Sequence, residues 1–235
     1  MPRPKLILFD IDGTMVRSDG VGRRAILRAI HKVLGVTPQV NGSLGGKTDF
    51  QIIAEIVLEE SLLPDGHTPE QLSSSSQEII NAYLPLLVEE IAQSKNYALL
   101  PGVKKLIAEL RALNGSHLGL LTGNVKDGAK IKLDHFAVYD YFATGAFGCD
   151  AVSRLDLPRF AHQRANEHYS VEFSIEDIII IGDTVNDISC AKHYGAKSLA
   201  VQTGYVSREN LAMHNPDYLF DDLSDTRSVI KALID

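Results

Sequence analysis

Lys5-Leu6-Ile7-Leu8-Phe9-Asp10-Ile11-Asp12-Gly13-Thr14 is the stretch on which the fold turns. Its apolar run is unbroken, as in a strand buried on both faces, and it ends abruptly in two acids and a glycine. Alternation along an extended chain places Asp10 and Asp12 on the same side, at the strand's C-terminal end. In open α/β sheets that end is the edge where ligands bind. Taken alone, the stretch serves equally as a strand-ending turn in which Asp and Gly satisfy backbone geometry.

Further apolar runs bounded by turn residues or charges lie at His117–Gly123, Asp177–Asp183, Lys197–Gly204 and Asp217–Leu223, with a weaker one at Tyr141–Gly148. Helical patterns separate most of them. Val103, Leu106, Ile107 and Leu110, for example, follow Pro101-Gly102, a helix-start signal. Strands alternating with helices predict an α/β fold with a parallel, doubly wound sheet.

The interval between the first two strands breaks this rhythm, because about a hundred residues far exceed an ordinary crossover. It reads as an inserted helical domain. Ile26, Leu27, Ile30, Val33 and Leu34 form one stripe that stops at Gly35, and Ile52, Ile53, Ile56 and Val57 form another. A third runs from Ile79 through Tyr83 and Leu87 to Ile91, with Pro85 expected to kink or split it. Thr48-x-x-Gln51 and Thr68-x-x-Gln71 have capping-box spacing, and Ser73–Ser76 reads as a turn entering the third helix.

Composition narrows the function. The 235 residues are 45% hydrophobic and 23% charged, with a formal net charge of −7, which argues against general affinity for nucleic acid. Cys149 and Cys190 lack ligand spacing and read as small core residues rather than a redox pair. The eight His show no ligand spacing either. The first apolar run is too short for a signal-peptide core or a membrane span, so a reducing cytoplasm is the expected compartment.

A second acidic cluster follows Ile178–Ile181, in Gly182-Asp183-Thr184-Val185-Asn186-Asp187. Acids gathered at one sheet edge repel one another unless a cation or proton separates them, and oxygen-only ligands favour a hard ion such as Mg²⁺. Leu120-Leu121-Thr122-Gly123-Asn124 is another strand ending, here in a hydroxyl and in a glycine that lets backbone amides approach an anion; it also fits a helix cap.

Asp10-x-Asp12-x-Thr14, Thr122 after a strand, and Gly182-Asp183-x-x-x-Asp187 together resemble the first, second and fourth motifs of the haloacid dehalogenase superfamily. The resemblance covers nearly the whole chain and lies with the phosphoglycolate phosphatase and β-phosphoglucomutase branch. It implies a Rossmann-like core at residues 1–16 and 96–235 with a helical cap at 17–95. It further implies that Asp10 attacks phosphorus while Asp12 acts as acid and base. Mg²⁺ would be held by Asp10, Asp183 and the Asp12 backbone carbonyl with support from Asp187, and phosphoryl oxygens by Thr122, Gly123 and Asn124.

The third motif departs from the family. Relatives place a Lys there, and none occurs between Lys132 and Lys192. Arg154 has the matching spacing to the next helix, and Arg159 competes with it. Gly45-Gly46-Lys47-Thr48-Asp49 resembles the cap loop that reaches the substrate, where Lys47 could bind an anionic leaving group. The resemblance thus implies a phosphatase, monomeric or homodimeric, acting on a small phosphorylated metabolite with neither nucleic acid nor membrane as partner. A 2-haloacid dehalogenase would also use Asp10 as nucleophile but resembles DxYGT at that point, so Asp12 decides strongly for phosphoryl chemistry. A phosphomutase of the β-phosphoglucomutase type and a catalytically retired binding protein are the alternatives.

Overall fold

A computed structural model describes residues 3–40, 42, 44–64 and 66–234. Six parallel strands form the main sheet: β1 (Lys5–Phe9), β4 (Ser116–Leu121), β5 (Thr144–Ala146), β6 (Ile178–Gly182), β7 (Lys197–Val201) and β8 (Tyr218–Phe220). Their order is β5-β4-β1-β6-β7-β8, so the first strand is central. Its unbroken apolar run has a plain cause. Leu6 and Leu8 pack with Leu157, Ala161 and Cys190 on one face, while Ile7 and Phe9 pack with Leu106, Leu110 and Val229 on the other. These partners come from α6 (Leu157–Tyr169) and α7 (Val185–Tyr194) below, and from α4 (Val103–Ala112) and α9 (Thr226–Ile234) above. The sheet is therefore doubly wound, as expected.

Register brings the strand ends together. Phe9 pairs with Leu120 on one side and with Ile181 on the other, so Asp10, Thr122 and Asp183 emerge at one edge.

Between β1 and α4 the chain forms a short strand β2 (Val16–Arg17), helices α1 (Val21–Leu34), α2 (Asp49–Glu59) and α3 (Pro69–Gln93), and a second short strand β3 (Ala98–Leu99). The two short strands pair antiparallel where the chain leaves and rejoins the sheet. Gly35 ends α1 in the left-handed region at φ 74°, its amide donating to the His31 carbonyl. Helices α1 and α3 are tied by Arg24 and Arg28, which both reach Glu90.

Several expectations are corrected. Ser73–Ser76 is no turn, because Thr68 forms a complete capping box with Gln71 and Pro69 starts the helix ahead of the serines. Pro85 does not split α3, which runs unbroken from Pro69 to Gln93. Thr48 caps α2 by accepting from the Gln51 amide, but the Gln51 side chain turns to Glu55 instead of completing the box. Cys190 is buried, whereas Cys149 is exposed, because it lies beyond β5 in a turn closed from the Asp150 amide to the Phe147 carbonyl. Among the described residues, α5 (Lys126–Asp134) after β4 and α8 (Arg208–Met213) before β8 complete the α-helices, and Arg154 opens a short 3-10 helix, Arg154–Asp156, ahead of α6. No helix among the described residues is long and apolar enough to cross a membrane.

Candidate active site

The strand-end acids converge. Carboxylate oxygens of Asp10, Asp183 and Asp187 lie within 4.8 Å of one another, and all three residues are buried. Gly13 makes the packing possible: its φ is 82°, and a Cβ there would fall 2.3 Å from the Asp183 carboxylate. Thr14 donates its hydroxyl to Asp183 at 3.0 Å. Asp187 sits at the third position of α7, where one oxygen accepts from the Thr184 amide and hydroxyl and the other from Arg154 at 2.5 Å.

Arg154 is the counter-charge. Its guanidinium lies 3.2 Å from Asp10 and 2.5 Å from Asp187, and its side chain is only 6% exposed. Its buried Nε has no partner among the described residues. Arg159 points elsewhere: it is exposed and lies over the Phe160 ring at 4.9 Å.

Three carboxylates against one guanidinium leave the cluster underneutralised. Burial pushes the Asp10 carboxyl up to about 6; Arg154 opposes the shift, while Asp187 and Asp12 add to it. Burial also raises Asp183 well above the usual carboxylate range, with Asp187 and Asp10 adding and the Thr14 hydrogen bond opposing. The donors are all oxygens, so the site fits a hard divalent cation such as Mg²⁺.

Asp12 lies beside this cluster and is handled differently. Its Oδ2 accepts from Lys132 at 2.6 Å and from the Asn124 amide at 2.8 Å, while Oδ1 carries no partner among the described residues. Lys132 also donates to the Asn124 side-chain oxygen at 2.6 Å. Thr122 Oγ1 accepts from Asn124, which leaves its own hydroxyl proton to give. Lys132 escaped the sequence reading, although a signal existed: Gly128, Ala129, Lys132 and Leu133 are the buried positions of α5, so the lysine takes an apolar place on a helical face.

A cleft of about 810 Å³ joins these groups to the helices between β2 and β3. The loop before α2 docks on the strand ends, with the Asp49 amide donating to the Gly123 carbonyl and the Asn186 side chain to the Gly46 carbonyl. Gly123 must be glycine for this approach, because a Cβ would fall 2.0 Å from the Lys47 carbonyl oxygen. Lys47 lines the cleft with its ammonium paired to Glu55 at 2.5 Å.

A doubly wound α/β sheet with buried acids at adjoining strand ends sets a candidate cation site on the edge where such sheets bind ligands. The chain belongs to the haloacid dehalogenase-like hydrolase family, whose model matches residues 4–195. It is 25% identical over 229 residues to a phosphoglycolate phosphatase of Vibrio parahaemolyticus, covering 96% of each chain. A predicted phosphoglycolate phosphatase from Haemophilus somnus superposes with a TM-score of 0.69 at 21% identity, over 98% of this chain and 99% of that one. A β-phosphoglucomutase from Clostridium difficile gives 0.74 at 19% identity, over 98% and 97%. These two structural likenesses speak to the fold alone. The protein is thus a hydrolase of the haloacid dehalogenase-like family, similar in sequence to phosphoglycolate phosphatases.

Proposed function

We propose that the protein is a Mg²⁺-dependent phosphatase that hydrolyses a small phosphomonoester through a phosphorylated Asp10. The observation that carries this reading is the pairing of two unlike carboxylates two residues apart. Asp10 is buried against Arg154 in an underneutralised cluster, whereas Asp12 keeps one oxygen free at the cleft.

In the first half-reaction an Asp10 oxygen forms a bond to phosphorus as the bond to the leaving oxygen breaks, and Asp12 gives that oxygen a proton. In the second, Asp12 takes a proton from water as the water oxygen bonds to phosphorus and the Asp10–phosphorus bond breaks. Arg154 offsets charge on the phosphoryl oxygens and on Asp10, and the Thr122 hydroxyl donates to a phosphoryl oxygen. Gly123 and Asn124 complete that edge. Asp10, Asp183 and the Asp12 backbone carbonyl would hold the metal, with Asp187 supporting it; when bound, it neutralises phosphoryl charge. Residues 17–95 act as a cap over the cleft and present Lys47 to the leaving group.

The test is phosphate release from a panel of small phosphomonoesters. Release should require Mg²⁺ and stop in EDTA, and the product should be free phosphate rather than a rearranged sugar phosphate. Undiminished turnover in chelator would contradict the proposal.

A further inference from the structure

Beyond Asp12 the cleft has an inner wall that the two half-reactions leave unused. Tyr83, on α3, is wholly buried and lines the cleft, yet its hydroxyl has no hydrogen-bond partner among the described residues. A buried polar group without a partner is costly to a fold, so one facing a ligand cleft points to the ligand. Lys132 Nζ gives two of its three N–H groups to Asp12 and Asn124, which leaves one. Gly22 keeps the space beside both atoms open. A Cβ there would lie 3.4 Å from Lys132 Nζ and 3.9 Å from the Tyr83 hydroxyl.

The position of Asp12 says which part of a substrate reaches this wall. Its free oxygen meets the leaving oxygen, and Lys132 holds the other oxygen of the same carboxylate at 2.6 Å. The Gly22 gap joins Lys132 to Tyr83, so we place the atoms one or two bonds beyond the leaving oxygen against this wall. Charge then says what those atoms are. Lys132 already faces the carboxylates of Asp12 and Asp49, so a third carboxylate would enter a place where anions outnumber the cation. An alcohol suits the wall better, because it both accepts from Lys132 and exchanges hydrogen bonds with a phenol.

We propose that Tyr83 and Lys132 form a subsite for a hydroxyl on the carbon adjacent to the ester carbon, which makes the substrate class small polyol or sugar phosphates rather than phosphorylated carboxylic acids. This rests on the phosphatase reading above.

Three matched substrates test it: ethyl phosphate, 2-hydroxyethyl phosphate and phosphoglycolate, which differ only at that carbon. With Mg²⁺ present, kcat/KM for 2-hydroxyethyl phosphate should exceed that for each of the others by about tenfold, the scale of one hydrogen bond to a ligand. Tyr83→Phe should lower the ratio of 2-hydroxyethyl to ethyl phosphate about tenfold without lowering the melting temperature, since it removes a partnerless buried hydroxyl. Gly22→Ala, which puts a methyl into the same space, should lower that ratio as well. Preference for phosphoglycolate, or an unchanged ratio in both variants, overturns the subsite while leaving the phosphatase standing. No phosphate release from these three or from p-nitrophenyl phosphate overturns the phosphatase reading and the subsite with it.

Discussion

On the strand-end wall of the cleft, Asp10, Asp183 and Asp187 crowd within 4.8 Å of one another around Arg154, whereas Asp49 on the facing wall accepts from the Val125 amide at 2.8 Å near Lys132. Asp10 and Asp49 are both pushed up to about 6, and burial is the leading cause for each. The remaining causes separate them. Lys132 and the Val125 amide oppose the shift at Asp49 and only Asp12 adds to it, while at Asp10 both Asp187 and Asp12 add to the shift against the single opposing charge of Arg154. One carboxylate is thus placed where negative charge accumulates, as the proposed phosphoryl transfer requires. The other fastens the α2 loop to the strand ends. A shared pKa direction therefore does not imply a shared role; the neighbours decide.

The largest expected effect lies on the strand-end wall. Arg154→Ala should lower kcat for p-nitrophenyl phosphate about a hundredfold or more, the scale of losing one electrostatic contact to a transition state. Arg154→Lys should recover part of the loss, because it restores the charge but not the planar guanidinium whose Nη2 reaches both Asp10 and Asp187. Equal losses in Arg154→Ala and Arg159→Ala would break the comparison at its base.

A smaller effect sharpens the facing wall. The folded-state value for Asp49 is raised above the ordinary carboxylate value of 3.8 to about 6, so the folded protein holds that proton more tightly than the unfolded chain. The resulting stability is full below the unfolded value and is lost as pH rises through about 6. Asp49→Asn removes this dependence. Its melting temperature relative to the parent should climb between pH 4 and pH 7, by an amount of order 2 kcal/mol in stability at about 1.4 kcal/mol per pKa unit. The same offset at both pH values would mean that Asp49 is not held by burial in the way described.

Smallest of all is Arg159→Ala, which should change kcat less than about twofold, as expected of an exposed side chain away from the site.

The two walls also differ in how far the sequence disclosed them. Strand ends were legible because β1 and β6 are buried on both faces, so their apolar runs stop sharply where Asp10 and Asp183 begin. The strands themselves end earlier than the runs suggested: β1 stops at Phe9 and β7 at Val201, and Asp10 and Gly204 beyond them line the cleft. The pairing of β2 with β3 spans two residues on each side, too few for any periodic signal. Ser73–Ser76 misled because serine favours turns locally, yet a strong start at Thr68 and Pro69 outweighs that preference. The facing wall was nearly silent. Tyr83 sits in an apolar stripe where only its hydroxyl is unusual, Asp49 reads as an ordinary acid in a helix's first turn, and Lys132 shows only as a charge at a buried helical position. Tyr83 and Lys132 belong to no local motif, and the Gly45–Asp49 segment that contains Asp49 gives no sign of its partners, because their meeting depends on three separate helices.

The central claim is a covalent bond between Asp10 and phosphorus, and Asp12→Asn offers the means to catch it. p-Nitrophenolate leaves without a proton, so this variant should still be phosphorylated by p-nitrophenyl phosphate, whereas hydrolysis, which needs a base, should stall. Acid quenching followed by peptide mass spectrometry should find one phosphoryl group on Asp10, removable by hydroxylamine, and none in Asp10→Asn. Phosphate release by the parent enzyme with no such adduct in the variant, or an adduct on Asp183 instead, would contradict the account.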